Sequence, residues 1–164
     1  MRDVSGLGKV HILTLGGEYD DDVTLEGVEA LCNVHALYLQ CCTITDLSPF
    51  SNINTLTLSD CPNVTDVSAI SNVSKLSLVS CPNVTDISML STVPKLIIRD
   101  CPGITDVSIH TVQDLTLDYL ENITDVSILF SVPKLHIVNC RGITNWGTIP
   151  HDEYGSSQKK LIFL

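Results

Sequence analysis

The sequence predicts an α/β-type solenoid with a parallel β-sheet on one face, short 3₁₀ or extended returns on the other, and about eight repeats. Three observations carry this expectation. The tetrads TDLS (45–48), TDVS (65–68), TDIS (85–88), TDVS (105–108) and TDVS (124–127) recur at spacings of 20, 20, 20 and 19, and TNWG (144–147) follows 20 residues later. Paired leucines keep step with them: Leu56-x-Leu58, Leu76-x-Leu78, Leu96-x-Ile98, Leu115-x-Leu117 and Leu135-x-Ile137, extended upstream by Leu37-x-Leu39 and Leu13-x-Leu15 and closed by Leu161-x-Phe163. Residues 3–15, DVSGLGKVHILTL, overlay residues 66–78, DVSAISNVSKLSL, without a gap. The repeat therefore covers residues 1–164 as one solenoid, with irregular loops near 16–30 and 150–159.

Each part of a repeat has a physical reading. Leu-x-Leu is period-two alternation, so both leucines face a core and the middle residue faces out. Strands joined by such short returns lie parallel, about 4.8 Å apart, one per rung. The next column, Cys42, Cys61, Cys81, Cys101 and Cys140, falls where the strand ends and the chain turns inward, with Leu120 replacing cysteine in the fifth repeat. Pro62, Pro82 and Pro102 lack the N–H that continues a ladder and are expected to end the strand. Asn63, Asn83, Gly103, Asn122 and Gly142 share a tolerance of positive φ, so this column reads as a left-handed turn residue. Asp46, Asp66, Asp86, Asp106 and Asp125 suit an Asx-turn or helix cap, accepting backbone N–H groups on the return path. Val67, Ile70 and Val73 then supply an apolar face at i, i+3 and i+6. About ten residues separate the tetrad from the next strand, which suits a 3₁₀ return.

Departures from the pattern are informative. The acidic run GGEYDDD (16–22) and the segment HDEYGSSQ (151–158) read as loops. Repeat five has lost one residue, so Ile109 takes the place of Ile70 and His110 is pushed outside. No polar cap marks either end of the pattern; Trp146 and Phe163 are candidates to seal one end, and otherwise the ends are docking surfaces.

Composition bounds the function. Hydrophobic residues make up 44% of the 164 and charged residues 17%, which argues against disorder. No run approaches about 18 uninterrupted apolar residues, so no spanning helix is expected. With 9 basic against 19 acidic residues the formal charge is −10, which repels nucleic acid phosphates and anionic membranes. The N-terminal segment lacks the basic start and apolar stretch of a signal peptide, and seven cysteines is an odd number. Reduced thiols in a cytoplasmic setting fit better than a disulfide framework.

The pattern LxLxxCxxVTDVSxLxxVxxL resembles the leucine-rich repeat consensus. Its segments TDLSPF (45–50), TDVSAI (65–70) and TDISML (85–90) are similar to the internalin-type subfamily, and its cysteine column resembles the cysteine-containing subfamily. Arrays this short also look like those of protists, algae and the large DNA viruses that infect them. The resemblance implies a right-handed horseshoe whose concave sheet serves protein recognition or assembly, seldom catalysis. A virion-associated or self-associating component is the alternative it leaves open.

Several constellations compete for chemistry. The cysteine ladder has no histidine in phase with it and no C-x-x-C, and one thiol per rung does not converge tetrahedrally on zinc. Buried reduced thiols are the expectation, although adjacent rungs make a disulfide geometrically conceivable; Cys32 and Cys41, off the ladder, are the candidates for reactivity. Sequons at Asn63, Asn72, Asn83 and Asn122 follow from the repeat itself. Glu18, Asp20, Asp21 and Asp22 lack the alternating ligand pattern of a calcium loop. The five histidines fall in different phases of the repeat. No catalytic residue, cofactor or metal site is expected. The outward strand positions remain, with Val79, Ile97, Arg99, His136 and Val138 forming an apolar and cationic patch; with Tyr38 and Tyr119 they are the expected protein-binding residues.

Overall fold

The computed structural model describes residues 2–17, 23–147 and the backbone of 158–162. Ten strands are present among them: β1 (Arg2–Asp3), β2 (Ile12–Gly16), β3 (Leu25–Glu26), β4 (Ala36–Gln40), β5 (Thr55–Ser59), β6 (Lys75–Val79), β7 (Lys95–Arg99), β8 (Asp114–Asp118), β9 (Lys134–Val138) and β10 (Gln158–Ile162). Eight of them form one open parallel sheet in the order β10-β9-β8-β7-β6-β5-β4-β2, and β1 pairs with β3 on its own. Chain order and spatial order coincide in the large sheet, as one strand per repeat requires.

Register follows the paired leucines. Leu37, Leu56, Leu76, Leu96, Leu115 and Leu135 lie opposite one another in turn, and all six are fully buried. Parallel strands with one face in a core satisfy every ladder group internally while the leucines stack into a continuous apolar spine. The last rung departs from expectation. Leu161 pairs with Ile137 and Lys159 with Leu135, so Lys160, not Ile162, stands opposite His136. A shift of two residues preserves the alternation, which is why the pattern alone leaves it open.

The returns are 3₁₀ turns at Ser5–Leu7, Val28–Asn33, Ser48–Phe50, Ser68–Ile70, Ser88–Thr92 and Ser127–Ser131. Each aspartate of the tetrad starts its return as an Asx-turn, accepting the amide two residues on: Ser48 N to Asp46 Oδ1 at 2.8 Å, Ser68 N to Asp66 at 2.8 Å, Ser88 N to Asp86 at 2.9 Å, Ser108 N to Asp106 at 2.9 Å and Ser127 N to Asp125 at 2.8 Å. Asp3 does the same for Ser5, in line with the gapless overlay of residues 3–15 on 66–78. Val67, Ile70 and Val73 are buried behind the turn. In the shortened fifth repeat no 3₁₀ turn forms; Ile109 is buried and His110 exposed, as the lost residue demands.

The strand-to-return corner corrects two expectations. Left-handed backbone lies at Cys41, Asp60, Ser80, Asp100, Tyr119 and Asn139, with φ between 50° and 55°, and not at the Asn/Gly column. Each of these residues except Asn139 still donates its amide to the neighbouring rung, Asp60 N to Val79 O at 3.0 Å for example, so the ladder runs one residue past the strand before the chain swings inward. Short polar side chains tolerate that conformation; Tyr119 holds it at a cost of about 1 kcal/mol. Pro62, Pro82 and Pro102 consequently do not end the strand. They occupy the second position of β-turns closed by Val64 N to Cys61 O (3.3 Å), Val84 N to Cys81 O (3.4 Å) and Ile104 N to Cys101 O (3.1 Å), where proline's fixed φ is an asset.

The Asn/Gly column has a different explanation. Asn83 Nδ2 donates to Pro62 O and Asn122 Nδ2 to Pro102 O, each at 2.7 Å. A Cβ on Gly103 would lie 2.6 Å from Pro82 O, and one on Gly142 would collide with Glu121 O. This position abuts the carbonyl of the preceding rung, so it holds either an amide that bonds the carbonyl or no side chain.

Candidate protein-recognition face

Two columns of side chains stand on the solvent side of the large sheet. The first runs Thr14, Tyr38, Thr57, Ser77, Ile97, Thr116 and His136. The second runs Gly16, Gln40, Ser59, Val79, Arg99, Asp118 and Val138. Most are partly exposed, but Ser77 at 9% and Asp118 at 7% are not. Neighbours on adjacent rungs cover them, since rungs about 4.8 Å apart leave a short side chain little access to water.

The structure places Val79, Ile97, Arg99, His136 and Val138 on β6, β7 and β9, with Thr116 and Asp118 of β8 between them. Arg99 is not a free cation: its Nε lies 2.8 Å from Asp118 Oδ2. Asp118 Oδ1 also accepts Asn139 Nδ2 at 3.4 Å. On the other side of the first column Lys95 Nζ lies 2.7 Å from Asp114 Oδ2. Ile97 and Thr116 thus sit in a frame of two ion pairs, and the expected apolar and cationic patch is a set of apolar residues with the Arg99–Asp118 pair standing between Val79 and Val138. Tyr119, 55% exposed, stands at the margin of the face where the chain turns away, outside both columns.

The opposite half of the face, on β2, β4 and β5, holds an open concavity of about 300 Å³ lined by Thr14, Tyr38, Leu39, Gln40, Thr57 and Ser59. Of these only Tyr38 is legible in the sequence as a binding residue; Thr14, Gln40, Thr57 and Ser59 read as polar strand positions and Leu39 as core. Near the start of the same strands, His11 and His35 stack with ring centroids 4.6 Å apart and planes 6° from parallel. They border a cleft with Cys32, Asn52 and Asn54. This pair corrects the expectation that the histidines fall in different phases: His11 and His35 each stand two residues before the first leucine of their strands, Leu13 and Leu37, and the parallel register brings them side by side across the insertion between β2 and β4.

The ladder cysteines line the core where each strand gives way to its return. All seven cysteines are unbridged, and Cys42, Cys61, Cys81, Cys101 and Cys140 are buried. Each ladder thiol faces the carbonyl two residues before it, at 3.3 or 3.4 Å. Cys61, Cys81 and Cys101 also approach carbonyls of the preceding rung at 3.7 to 4.0 Å. Burial pushes the Cys42 and Cys61 thiols up to about 11 and raises Cys140. Cys81 is raised by its hydrogen bond with the Cys101 thiol and by burial. Cys42, Cys61, Cys81 and Cys140 are therefore poor nucleophiles, since the thiolate is the reactive species. Cys41 corrects an expectation: it is buried at the left-handed corner, whereas Cys32 is half-exposed.

The Asx-turn carboxylates Asp3, Asp46, Asp66 and Asp86 are held below the usual range by the serine amide they accept and then by that serine's hydroxyl. For Asp125 the Ser127 hydroxyl leads. Among the described residues no three His, Cys, Asp or Glu side chains are grouped to hold a metal ion, and no helix is long and apolar enough to cross a membrane. Glu18, Asp20, Asp21, Asp22 and Phe163 lie outside the described residues; Trp146 is half-buried against the core.

No protein-family model matches the chain, and no curated protein matches it. Among solved structures, an internalin C2 from Listeria monocytogenes superposes with a TM-score of 0.56 over 92% of this chain and 79% of its own, at 20% identity. An internalin (inlF) from the same organism is 26% identical over 79% of this chain, with a TM-score of 0.48, and this chain spans 47% of its length. With the sequential parallel sheet and the buried leucine spine, the likeness to internalin C2 shows a leucine-rich repeat fold.

Proposed function

We propose that the chain is a non-catalytic scaffold that recognises another protein through the concave face of its sheet. One observation carries the reading. Val79, Ile97 and Val138 stand partly exposed on three strands of the outward face, among charges neutralised in the pairs Lys95–Asp114 and Arg99–Asp118. Exposed apolar side chains interspersed with paired charges suit a protein interface. The buried, unbridged thiols favour a reducing, cytoplasmic compartment, with a virion as the alternative setting. The partner is a protein, since the formal charge of −10 opposes nucleic acid and anionic membranes.

Affinity capture from native host extract, with mass spectrometry, tests the reading. Ile97→Asp removes the specific partner, and Met89→Asp, at an exposed position on the return side, keeps it. Retention of the partner by a folded Ile97→Asp protein overturns the assignment. A second reading is self-association along the outer edge of β2, favoured by Ile12 at 61% exposure and half-buried Leu13 and Leu15. Sedimentation at rising concentration separates the two: a monomer throughout excludes the second.

A further inference from the structure

We propose that the concavity around Tyr38 is a separate site that takes a neutral saccharide. Among the described residues its lining is Thr14, Tyr38, Leu39, Gln40, Thr57 and Ser59, with no ionisable group except the tyrosine phenol. The charge-paired residues of the outward face lie on β7 and β8, away from it. Among the described residues the side chains of Thr14, Tyr38, Gln40 and Thr57 make no hydrogen bond, unlike Ser59, whose hydroxyl donates to Asp60 Oδ2 at 2.7 Å. Two threonine hydroxyls, a carboxamide and a phenol therefore converge, unengaged, on one depression beside an exposed aromatic ring. Gly16 widens its edge: a Cβ there would press on Gln40 at 3.0 Å.

The floor decides what kind of ligand fits. β4 is paired along its length with β2 and with β5, so no backbone donor or acceptor of β4 is left for an added strand, and an extended peptide finds none of the main-chain pairing that strand addition needs. Recognition has to come from side-chain tips and the flat face of Tyr38. A pyranose matches this: its hydroxyls point outward from the ring, and its C–H face lies against an aromatic ring. The volume of about 300 Å³ is at the lower end for ligand sites and suits one or two sugar rings. The formal charge of −10 selects against sulfated or sialylated sugars.

The test uses the full chain and neutral trisaccharides of glucose, mannose and N-acetylglucosamine. A sulfated trisaccharide and a neutral Ser/Gly/Asn peptide serve as comparators, and binding is followed by amide chemical shifts. The expected result is binding of at least one neutral trisaccharide with shifts at Thr14, Tyr38 and Thr57. Tyr38→Ala weakens it tenfold or more, Tyr38→Phe and Thr57→Val each weaken it severalfold, and Met89→Asp, on the return side, leaves it within about threefold. No perturbation of these amides by any neutral trisaccharide, or equal binding by Tyr38→Ala, overturns the site. Perturbation by the peptide alone overturns the ligand class. Ile97→Asp, read out by partner capture, tests protein recognition independently.

Discussion

Arg99 and Asp118 offer a sharp test, because their environments differ. Their Nε–Oδ2 distance is 2.8 Å, yet the arginine side chain is 52% exposed and the aspartate 10%. Fully exposed pairs couple by about 0–1 kcal/mol, whereas breaking a buried pair costs about 3–5 kcal/mol. A half-exposed pair belongs between them, with a coupling of about 1 kcal/mol. The two single truncations are not equivalent. Arg99→Ala leaves a covered carboxylate with only the long Asn139 amide contact at 3.4 Å, costing about 1–2 kcal/mol. Asp118→Ala leaves a guanidinium that turns to water, costing less. The assay is urea unfolding of Arg99→Ala, Asp118→Ala and the double variant. At about 2 kcal/mol per molar, the first lowers the midpoint by about 0.5–1 M. Equal single effects, or a double variant additive to within about 0.3 kcal/mol, refute the reasoning. The expected result also means that Arg99→Glu is a poor probe of binding, since it sets two carboxylates face to face; Ile97→Asp is the cleaner one.

Four further outcomes follow from the geometry. Native-state alkylation near pH 8 labels Cys32 first, and the six buried thiols react only as the chain opens; fast labelling of Cys61 or Cys81 contradicts this packing. Cys81→Ala lowers stability by about 1–2 kcal/mol through a small cavity and a lost S–H contact, yet leaves partner capture intact; loss of capture by a folded variant makes the ladder functional. Gly103→Ala forces a Cβ against two carbonyls at 2.6 Å, and a denaturation midpoint unchanged from wild type contradicts the crowding. The Asx-turn carboxylates are depressed in the folded state, so their contribution is present above the ordinary aspartate range near pH 4 and is lost as pH falls through the folded values. Asp66→Asn flattens that acid limb in a pH series of thermal melts, and an unaltered limb counts against the turn as its source.

Much of this molecule is legible without its tertiary structure, because a solenoid repeats the same local problem. Leu76 and Leu78 announce a half-buried strand by alternation, and Asp66 announces its turn because the partner amide is two residues away. Interactions within one repeat are written in one repeat. The corner is harder: Asp60 and Asn63 both suit a left-handed residue, and what separates them is the carbonyl of the preceding rung, which lies about 20 residues away. Contacts between rungs, such as Arg99 with Asp118, escape a reading in which each column is taken as a uniform surface.

The sequence by itself therefore determined the solenoid, the number of rungs, the inward leucines and cysteines and the Asx-turns, since each follows from short-range periodicity and turn chemistry. Only the tertiary structure decided that Arg99 is neutralised by its neighbour, that Cys41 is buried while Cys32 is accessible, that His11 stacks on His35, and that unengaged hydroxyls gather around Tyr38. The physical reason is the same in each case. Stacking places residues about 20 apart in sequence at about 4.8 Å in space, and charge, access and cavity shape are properties of that second spacing.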